Sequence, residues 1–378
     1  MLWLGFIENV GNTIAPLMSF FKIELFVESY VYMKTKVLIV TDYSYPAGGI
    51  EVFLDEIIHN TQNLNFEYKI LTWQPSRGTA PRTSLVDTIR IECGQMEAAM
   101  DCLDWSDLVF YQASWNIRAF SIILLELIQL KKKPLVSVFH TSESSSEVCK
   151  HTKEMTSIVS KIVDKSDSVI AVSNTVALSL KKEFPSKCDK FCIIPNAPRF
   201  ADLKDTKGKS NIGFIGRPFF AKGYDIMQEV MVNLEKFDFN FLINTVSMPA
   251  PNGAKFVRNG AEYSFLLSDE ELKKWYQQID LLVVPYRKAD GLSLAVLEAI
   301  NCGIDVISTP SKSLEDLIGE SYKNLTQSFC AREISQSILA WRAGDLDLST
   351  SNIVLPSRNW SEVSRRYEEI FINAIRKN

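Results

Sequence analysis

Short apolar runs and apolar residues at helical spacing alternate along the chain, which predicts strands followed by helices. The run at 37–40 (VLIV) is typical of a strand buried on both faces, and the apolar residues within 50–58 recur at the spacing of one helix face. A glycine turn, Gly48-Gly49, lies between them. A strand, a glycine turn and a helix in this order form the opening unit of a doubly wound α/β domain.

The same alternation continues in two series. Later strands are predicted at 68–71, 108–111, 135–139, 168–172, 191–194, 212–215, 239–243, 281–284 and 305–308. Helices are predicted at 120–130, 154–165, 223–237 and 361–375, and after the capping residues Ser173, Ser268 and Ser293. This alternation is typical of α/β domains with mainly parallel sheets.

A polar segment without periodicity, residues 198–210, separates the two series and is predicted to be a linker. We therefore expect a first Rossmann-like domain over 33–197, a second over 211–358, and a final helix over 359–378. The length of 378 residues fits this division, because single cores stop growing near about 250–300 residues.

Residues 1–32 precede the first predicted strand and form an extension of unclear role. Charged side chains interrupt the apolar residues there, and no apolar run reaches the roughly 18–20 residues that span a bilayer. No basic stretch marks a signal peptide. Two interpretations stay open: an upstream extension of the reading frame, or an appendage at a membrane surface.

Composition narrows the classes of function. Hydrophobic residues make up 46% and charged residues 23%, which are the values of a globular protein. The formal net charge of −4 argues against nucleic acid as the main partner, because phosphate binding needs a surplus of Lys and Arg. The seven cysteines include no C-x-x-C pair and the three histidines form no zinc-ligand cluster, so we expect reduced cytosolic thiols and no metal site.

Candidate ligand contacts lie where strands end and helices begin, since ligands of parallel sheets bind beyond the C-terminal strand ends. The first is the Gly48-Gly49 turn, where glycines allow close approach and a helix N-terminus favours an anion. The second combines Gly216 and Arg217 with Lys222, two cations that could bind a diphosphate. A tight turn and two ordinary surface cations are the alternative interpretations.

The third place is 284–299, where a strand is followed by a loop and an apolar helix. Ser293 is predicted to cap this helix, so that nearby backbone amides would face an anion. Glu298 lies within the apolar helix and needs a partner, either a ribose diol or an Arg or Lys from another helix. Asp290, just before the helix, is either a ligand for sugar hydroxyls or an ordinary loop residue.

Together these motifs resemble the GT-B glycosyltransferases, specifically the retaining glycosyltransferase family 4, also called group 1. The family's Gly-Gly turn, G-R-x4-K-G motif and E-x7-E motif correspond here to residues 48–51, 216–223 and 290–298, with further similar stretches at 169–176, 193–197 and 360–361. The resemblance covers about residues 34–377 in order. It implies a GT-B fold: two Rossmann-like domains that face each other across a cleft, with a final helix that crosses back onto the first domain.

The resemblance also implies roles for individual residues. Arg217 and Lys222 would bind the donor diphosphate without a metal, and Glu298 would hold the ribose hydroxyls. Asp290 and His140 would hold the donor sugar, with a packing role at a strand end as the alternative for His140. The other expected donor contacts are Gly48, Gly49, Gly216, Gly291, Leu292, Ser293 and Leu294.

Two departures from the family pattern bear on specificity. Asp290 stands where the family has Glu, and its shorter side chain leaves the identity of the donor sugar open. Ala197 and Pro198 follow Asn196 where the family has Gly-Val-Asp, which alters the loop on the hinge side.

The implied activity is the transfer of a sugar from a nucleotide-diphosphate sugar to an acceptor hydroxyl, with retention, by a hexosyltransferase-type enzyme that needs no cofactor. The family's common use predicts cell-surface polysaccharide or glycolipid synthesis, a saccharide or lipid-linked saccharide acceptor, and a cytoplasmic location with peripheral contact at the inner membrane face. A nucleotide-sugar epimerase of the same fold and a non-catalytic GT-B partner subunit are the alternatives. A dehydrogenase is disfavoured because no G-x-G-x-x-G follows the first strand.

Overall fold

Parallel strand pairing organises both halves of the chain. The structure is a computed structural model, and it describes residues 34–41, 48–61, 65–72, 86–91, 96–113, 119–141, 153–201, 203, 208–218, 220–245, 254–287, 293–318, 329–348, 353–355 and 359–377. The predicted extension over residues 1–32 lies outside these ranges.

The first domain is a parallel sheet with helices on both faces. Its strands are β1 (Thr35–Thr41), β2 (Phe66–Thr72), β3 (Asp87–Arg90), β4 (Leu108–Ala113), β5 (Leu135–Phe139), β6 (Ser168–Ala171) and β7 (Phe191–Ile193). Its helices are α1 (Gly49–Thr61), α2 (Met96–Trp105), α3 (Ala119–Leu130), α4 (Lys153–Lys165) and α5 (Asn174–Glu183). The strand order is β3-β2-β1-β4-β5-β6-β7. Successive strands are added toward one edge up to β3 and toward the other edge from β4 onward, and sheets of this kind bind ligands at the point between β1 and β4 where the order changes.

Burial on both faces explains the apolar run of β1. Val37 and Ile39 pack into the core beneath α1, whereas Leu38 and Val40 pack into the core on the opposite face of the sheet. Successive side chains of a strand point to opposite faces, so a strand covered on both sides has no polar position.

The second domain is built in the same way. Its strands are β8 (Asn211–Ile215), β9 (Asn240–Thr245), β10 (Lys255–Arg258), β11 (Ala261–Phe265), β12 (Leu281–Val284) and β13 (Asp305–Ser308). Its helices are α6 (Tyr224–Asn233), α7 (Asp269–Gln278), α8 (Leu294–Asn301), α9 (Lys312–Ile318) and α10 (Ala331–Ala343), and α11 (Trp360–Lys377) ends the described chain. The order is β10-β11-β9-β8-β12-β13, with β10 antiparallel at one edge. The predicted fold class, two Rossmann-like domains, is therefore confirmed.

Two local predictions need correction. The helix predicted at 223–237 ends at Asn233, because the chain turns after Leu234 and brings Phe239 into the core. The hairpin of β10 and β11 was not predicted. It turns at Asn259 and Gly260, which have φ angles of 50° and 74°, and Asn-Gly is the pair that suits such a turn.

The final helix packs on the first domain. Trp360, Tyr367 and Phe371 of α11 lie in the core that contains Phe53 of α1 and Phe110 of β4. Ring centroids are 5.5 Å apart for Phe53 and Tyr367 and 5.0 Å apart for Phe110 and Phe371, both in tilted or edge-on geometry. The first and last elements of the described chain, β1 and α11, thus belong to the same domain.

A crossover segment, residues 194–201, joins the domains and is anchored at both ends. The amide of Ile194 donates to the carbonyl of Ala171 in the first domain, and the Asn301 side chain in α8 donates to the carbonyl of Phe200 at 2.8 Å. A second bridge forms where the Thr175 hydroxyl donates to Asp316 at 3.0 Å. The two domains are therefore joined by a direct hydrogen bond as well as by the crossover segment.

We expect Phe371→Ala to lower the free energy of unfolding by about 3–5 kcal/mol, because it leaves a cavity in the core shared by α11 and β4. Urea denaturation followed by fluorescence measures this. The matched control is Asn373→Ala, at an exposed position of the same helix, with an expected change within about 0.5 kcal/mol. Equal stabilities of the two variants would show that α11 does not stabilise the first domain.

Candidate active site

Gly48 of the first domain meets Arg217 of the second across the cleft. A Cβ atom added at Gly48 would lie 2.8 Å from Nη2 of Arg217, and that nitrogen is 4.0 Å from Oε1 of Glu51. The same Cβ would lie 2.2 Å from Oε2 of Glu51, so any other residue at position 48 would displace the ends of both side chains. Gly49 is exposed, and an added Cβ there would meet none of the described residues within 4 Å. Gly48 and Gly49, which are both predicted to contact the donor, therefore differ in their surroundings.

The second predicted motif forms a compact unit around Tyr286. The amide of Gly216, at the end of β8, donates to the carbonyl of Asn244 in β9. Nζ of Lys222 lies 4.0 Å from the centroid of the Tyr286 ring, a cation–π contact. Gly223 has a φ of 62°, and a Cβ there would overlap the carbonyl oxygen of Pro285. A glycine after Lys222 is thus required to place the ammonium group beside the ring.

The N-terminus of α8 lies beside the same tyrosine. Ser293 is the residue before α8, as predicted, but its side chain forms no hydrogen bond with a helix amide. It is hydrogen-bonded to Tyr286 instead, while burial raises the pKa of the Tyr286 phenol to about 12. Leu294 packs against apolar residues of both domains. The first amides of α8 lack a partner within the helix, as at any helix start.

The other predicted residues of this loop, Asp290, Gly291 and Leu292, lie outside the described residues. Their expected contacts with the donor sugar and the distal phosphate therefore stay predictions.

Glu298 is buried in the second turn of α8, and its partner is a cation. Nε of Arg199, in the crossover segment, donates to Oε1 of Glu298 at 2.6 Å, and the hydroxyl of Tyr276 donates to Oε2 at 2.8 Å. Nη1 of Arg199 also donates to Asp269 at 2.7 Å. Of the two partners that the sequence left open for Glu298, a ribose and an arginine, the structure contains the arginine.

This ion pair restricts what Glu298 can bind. Its side chain is 2% exposed, and that of Arg199 is 8% exposed. Each carboxylate oxygen accepts one of the hydrogen bonds just described, and each has a second lone pair that could accept a hydroxyl. A ribose could reach those lone pairs only if neighbouring side chains moved aside.

A carboxyl of the first domain lies near the same guanidinium. Burial raises the pKa of Glu56 in α1; Arg199 lowers it, and the charges of Asp269 and Glu298 raise it. The Arg199 guanidinium is therefore ion-paired with Glu298 and Asp269 of the second domain and also acts electrostatically on Glu56 of the first domain. This cluster marks the place where the crossover segment leaves the first domain and enters the second.

His140 follows β5 on the first-domain side of the cleft. Its Nε2 lies 2.9 Å from Oε1 of Gln112, at the end of β4, and its ring packs edge-on against Phe53 with centroids 4.8 Å apart. Burial lowers the pKa of His140 to about 4, so the imidazole is neutral at pH 7. A neutral imidazole can bind a hydroxyl but is not an acid at this pH.

The structure thus groups most of the predicted residues that it describes. Gly48 and Arg217 are in contact, Lys222 and Ser293 share Tyr286, and Glu298 is paired separately with the crossover segment. Sequence reasoning missed Arg199, Tyr276, Tyr286 and Gln112, although the last two stand directly at strand ends. Within the described ranges, no cluster of three His, Cys, Asp or Glu residues could hold a metal ion.

Removing Arg199 would leave Glu298 buried without a counter-charge. We expect Arg199→Ala to lower the free energy of unfolding by about 3–5 kcal/mol, and the double variant Arg199→Met with Glu298→Leu to recover most of that loss. The control is Lys187→Ala, which removes an exposed ion pair with Asp164 and should cost at most about 1 kcal/mol. Chemical denaturation measures all three, and a loss for Arg199→Ala no larger than for the control would contradict the assignment.

Comparisons with known proteins find similarity to glycosyltransferases. Residues 209–340 match the family model described as "Glycosyl transferases group 1". An uncharacterized glycosyltransferase of Methanocaldococcus jannaschii is 20% identical over 89% of this chain and 98% of its own length. A phosphatidyl-myo-inositol mannosyltransferase of Propionibacterium freudenreichii is 22% identical over 64% of each chain.

A solved structure shows the same arrangement of domains. The crystal structure of Anabaena HepE in complex with UDP and glucose superposes with a TM-score of 0.67 at 14% identity, covering 89% of this chain and 99% of that one. The fold is therefore GT-B. Together with the group 1 match over the second domain, it supports a GT-B glycosyltransferase.

Proposed function

We propose that this chain transfers a sugar from a nucleotide-diphosphate sugar to an acceptor hydroxyl, with retention of the anomeric configuration. The observation that carries the proposal is the meeting of Gly48 and Arg217 across the cleft, beside Lys222 and the start of α8. A diphosphate at this point would face two cations and the open amides of a helix N-terminus. The same point lies at the C-terminal ends of the strands, where parallel sheets bind ligands.

In the proposed complex the donor diphosphate lies between Arg217 and Lys222 and receives hydrogen bonds from the backbone amides of 291–294. The ribose binds Glu298 after the groups around the Arg199 pair have moved, and the sugar lies beside His140 and Asp290. Support for a uridine nucleotide comes from HepE, whose structure holds UDP and glucose. UDP-glucose is therefore the first donor to test.

The proposed reaction needs no protein nucleophile. The bond between the anomeric carbon and the diphosphate oxygen breaks, and Arg217 and Lys222 stabilise the negative charge that develops on the leaving group. The acceptor oxygen bonds to the anomeric carbon from the same face, and its proton passes to the leaving phosphate. In this scheme the cations of the protein perform the role that a metal ion has in other transferases, so we expect activity in the presence of EDTA.

For the pathway, we infer cell-surface polysaccharide or glycolipid synthesis at the cytoplasmic face of a membrane. The relative from Propionibacterium freudenreichii is named for a lipid, phosphatidyl-myo-inositol, which supports a lipid-linked acceptor. No helix of the described part of the chain is long and apolar enough to cross a membrane. The lysines at 131–133 contribute little to a membrane surface, because Lys131 is paired with Asp104 and Lys133 donates to the carbonyl of Ser106.

Product analysis distinguishes the proposed transferase from an epimerase of the same fold. Incubation with UDP-glucose and a panel of saccharide and lipid-linked acceptors should give a glycoside with the donor's anomeric configuration, as read by NMR. An inverted glycoside would refute retention. A new nucleotide sugar formed without any acceptor would refute the transferase and favour the epimerase.

Lys222→Ala should lower kcat by about 10²–10³-fold, because it removes one of the charges that stabilise the leaving diphosphate, whereas the folded structure should be retained. Lys236→Ala, at an exposed position of the same domain, is the matched control and should leave kcat unchanged. Steady-state kinetics with saturating donor measures both. Equal kcat values for the two variants would refute the role of Lys222.

A further inference from the structure

Gln112 lies at the ligand-binding edge of the first domain but is absent from the mechanism above. It is the second-last residue of β4, and its neighbour in β5 is Val138. Because side chains alternate along a strand, it points to the same face as Phe110, toward α1 and α11. Gln112 is 5% exposed. A buried carboxamide at this edge needs hydrogen-bond partners for both of its ends.

The oxygen end of the Gln112 carboxamide contacts His140 and determines which ring nitrogen of the imidazole carries the proton. Oε1 of Gln112 can only accept a hydrogen bond, and it lies 2.9 Å from Nε2 of the imidazole. A neutral imidazole carries one proton, and this contact requires it on Nε2. Nδ1 then carries the lone pair. Within the described chain, Nε2 is the ring nitrogen that has a hydrogen bond.

The imidazole ring is also held sterically. Phe53 packs edge-on against His140 with centroids 4.8 Å apart, and Phe53 itself packs against Trp360 of α11 at 6.0 Å. Rotation of the ring would therefore disturb the aromatic core that the final helix shares with the first domain. The direction of Nδ1 is set by this core together with Gln112.

Among the described residues, the other end of the carboxamide lacks a hydrogen-bond partner. Nε2 of Gln112 is buried, and no group among the described residues accepts a hydrogen bond from it. Burying an amide donor without an acceptor is unfavourable, which makes such groups candidates for binding a ligand. A sugar hydroxyl both donates and accepts, so it is able to satisfy the Nδ1 lone pair and the Gln112 amide alike.

We propose that Gln112 is a positioning residue that holds His140 in the Nε2–H tautomer and donates its own amide to the donor sugar. Its partner His140 then accepts a hydrogen bond from a sugar hydroxyl through Nδ1. This inference rests on the proposed function for the identity of the sugar, whereas the tautomer itself can be tested without any substrate.

The tautomer is measurable because the chain has only three histidines. Two-bond ¹H–¹⁵N spectra of histidine-labelled protein at pH 7.5 resolve each ring nitrogen, and His140→Asn assigns the signals of His140. We expect a neutral ring protonated on Nε2 in the unmodified protein. Gln112→Met should transfer part of the population to the Nδ1–H form. A ring protonated on Nδ1 or on both nitrogens, or a population unchanged in Gln112→Met, would overturn the proposal.

The amide contact is tested by binding, with Gln129→Met at an exposed helix position as the matched control. Gln112→Met should weaken the binding of UDP-glucose by about 3- to 10-fold, the effect of one or two hydrogen bonds, and should leave the binding of UDP unchanged. Equal loss for both nucleotides, or none, would overturn the sugar contact. If the unmodified protein binds none of UDP-, GDP- and ADP-glucose, the proposed function fails, while the tautomer measurement still decides the role of Gln112 toward His140; if it binds GDP- or ADP-glucose instead, the same comparison is made with that pair of nucleotides.

Discussion

The buried pair of Arg199 and Glu298 is the interaction on which the geometry of the cleft depends. A carboxylate buried to this degree needs its guanidinium, because leaving either group alone costs several kcal/mol. The pair fixes the path of the crossover segment, whose first residue is hydrogen-bonded to the first domain and whose end is hydrogen-bonded to α8. With this path fixed, the Gly48 turn comes to face Arg217. The ion pairs of one guanidinium thus hold the crossover segment against the second domain.

The two walls of the cleft differ in charge, and the difference suits the proposed chemistry. The second domain presents Arg217, Lys222 and the start of α8, all of which stabilise negative charge. The first domain presents two neutral hydrogen-bonding groups, His140 and Gln112, on an aromatic core that α11 completes, and one carboxylate, that of Glu51, 4.0 Å from Nη2 of Arg217. A donor whose diphosphate faces the second domain would therefore place its sugar beside His140 and Gln112. These neutral groups can bind sugar hydroxyls, while the cations of the second domain stabilise the negative charge on the leaving diphosphate.

Much of this arrangement could be predicted, because the elements that carry it have strong local signals. Apolar runs specify the parallel strands, and the glycine after Lys222 is a local signal whose cause is the Pro285 carbonyl, which leaves no room for a Cβ at Gly223. Arg199 could not be predicted, since it lies in a polar segment without periodicity and its partner is 99 residues away. The Asn259-Gly260 hairpin is different: its turn pair was a readable local signal that was overlooked.

If the cleft binds a nucleotide sugar through the cations of the second domain, its affinity must depend on Arg217. Isothermal titration of the full chain with UDP-, GDP- and ADP-glucose measures this affinity, with Arg217→Ala as the comparison. One nucleotide sugar should bind more tightly than the other two, and its affinity should fall by about 10-fold or more when the charged hydrogen bonds of Arg217 are lost. Absence of binding to all three nucleotides, or equal affinity in Arg217→Ala, would contradict this mode of binding.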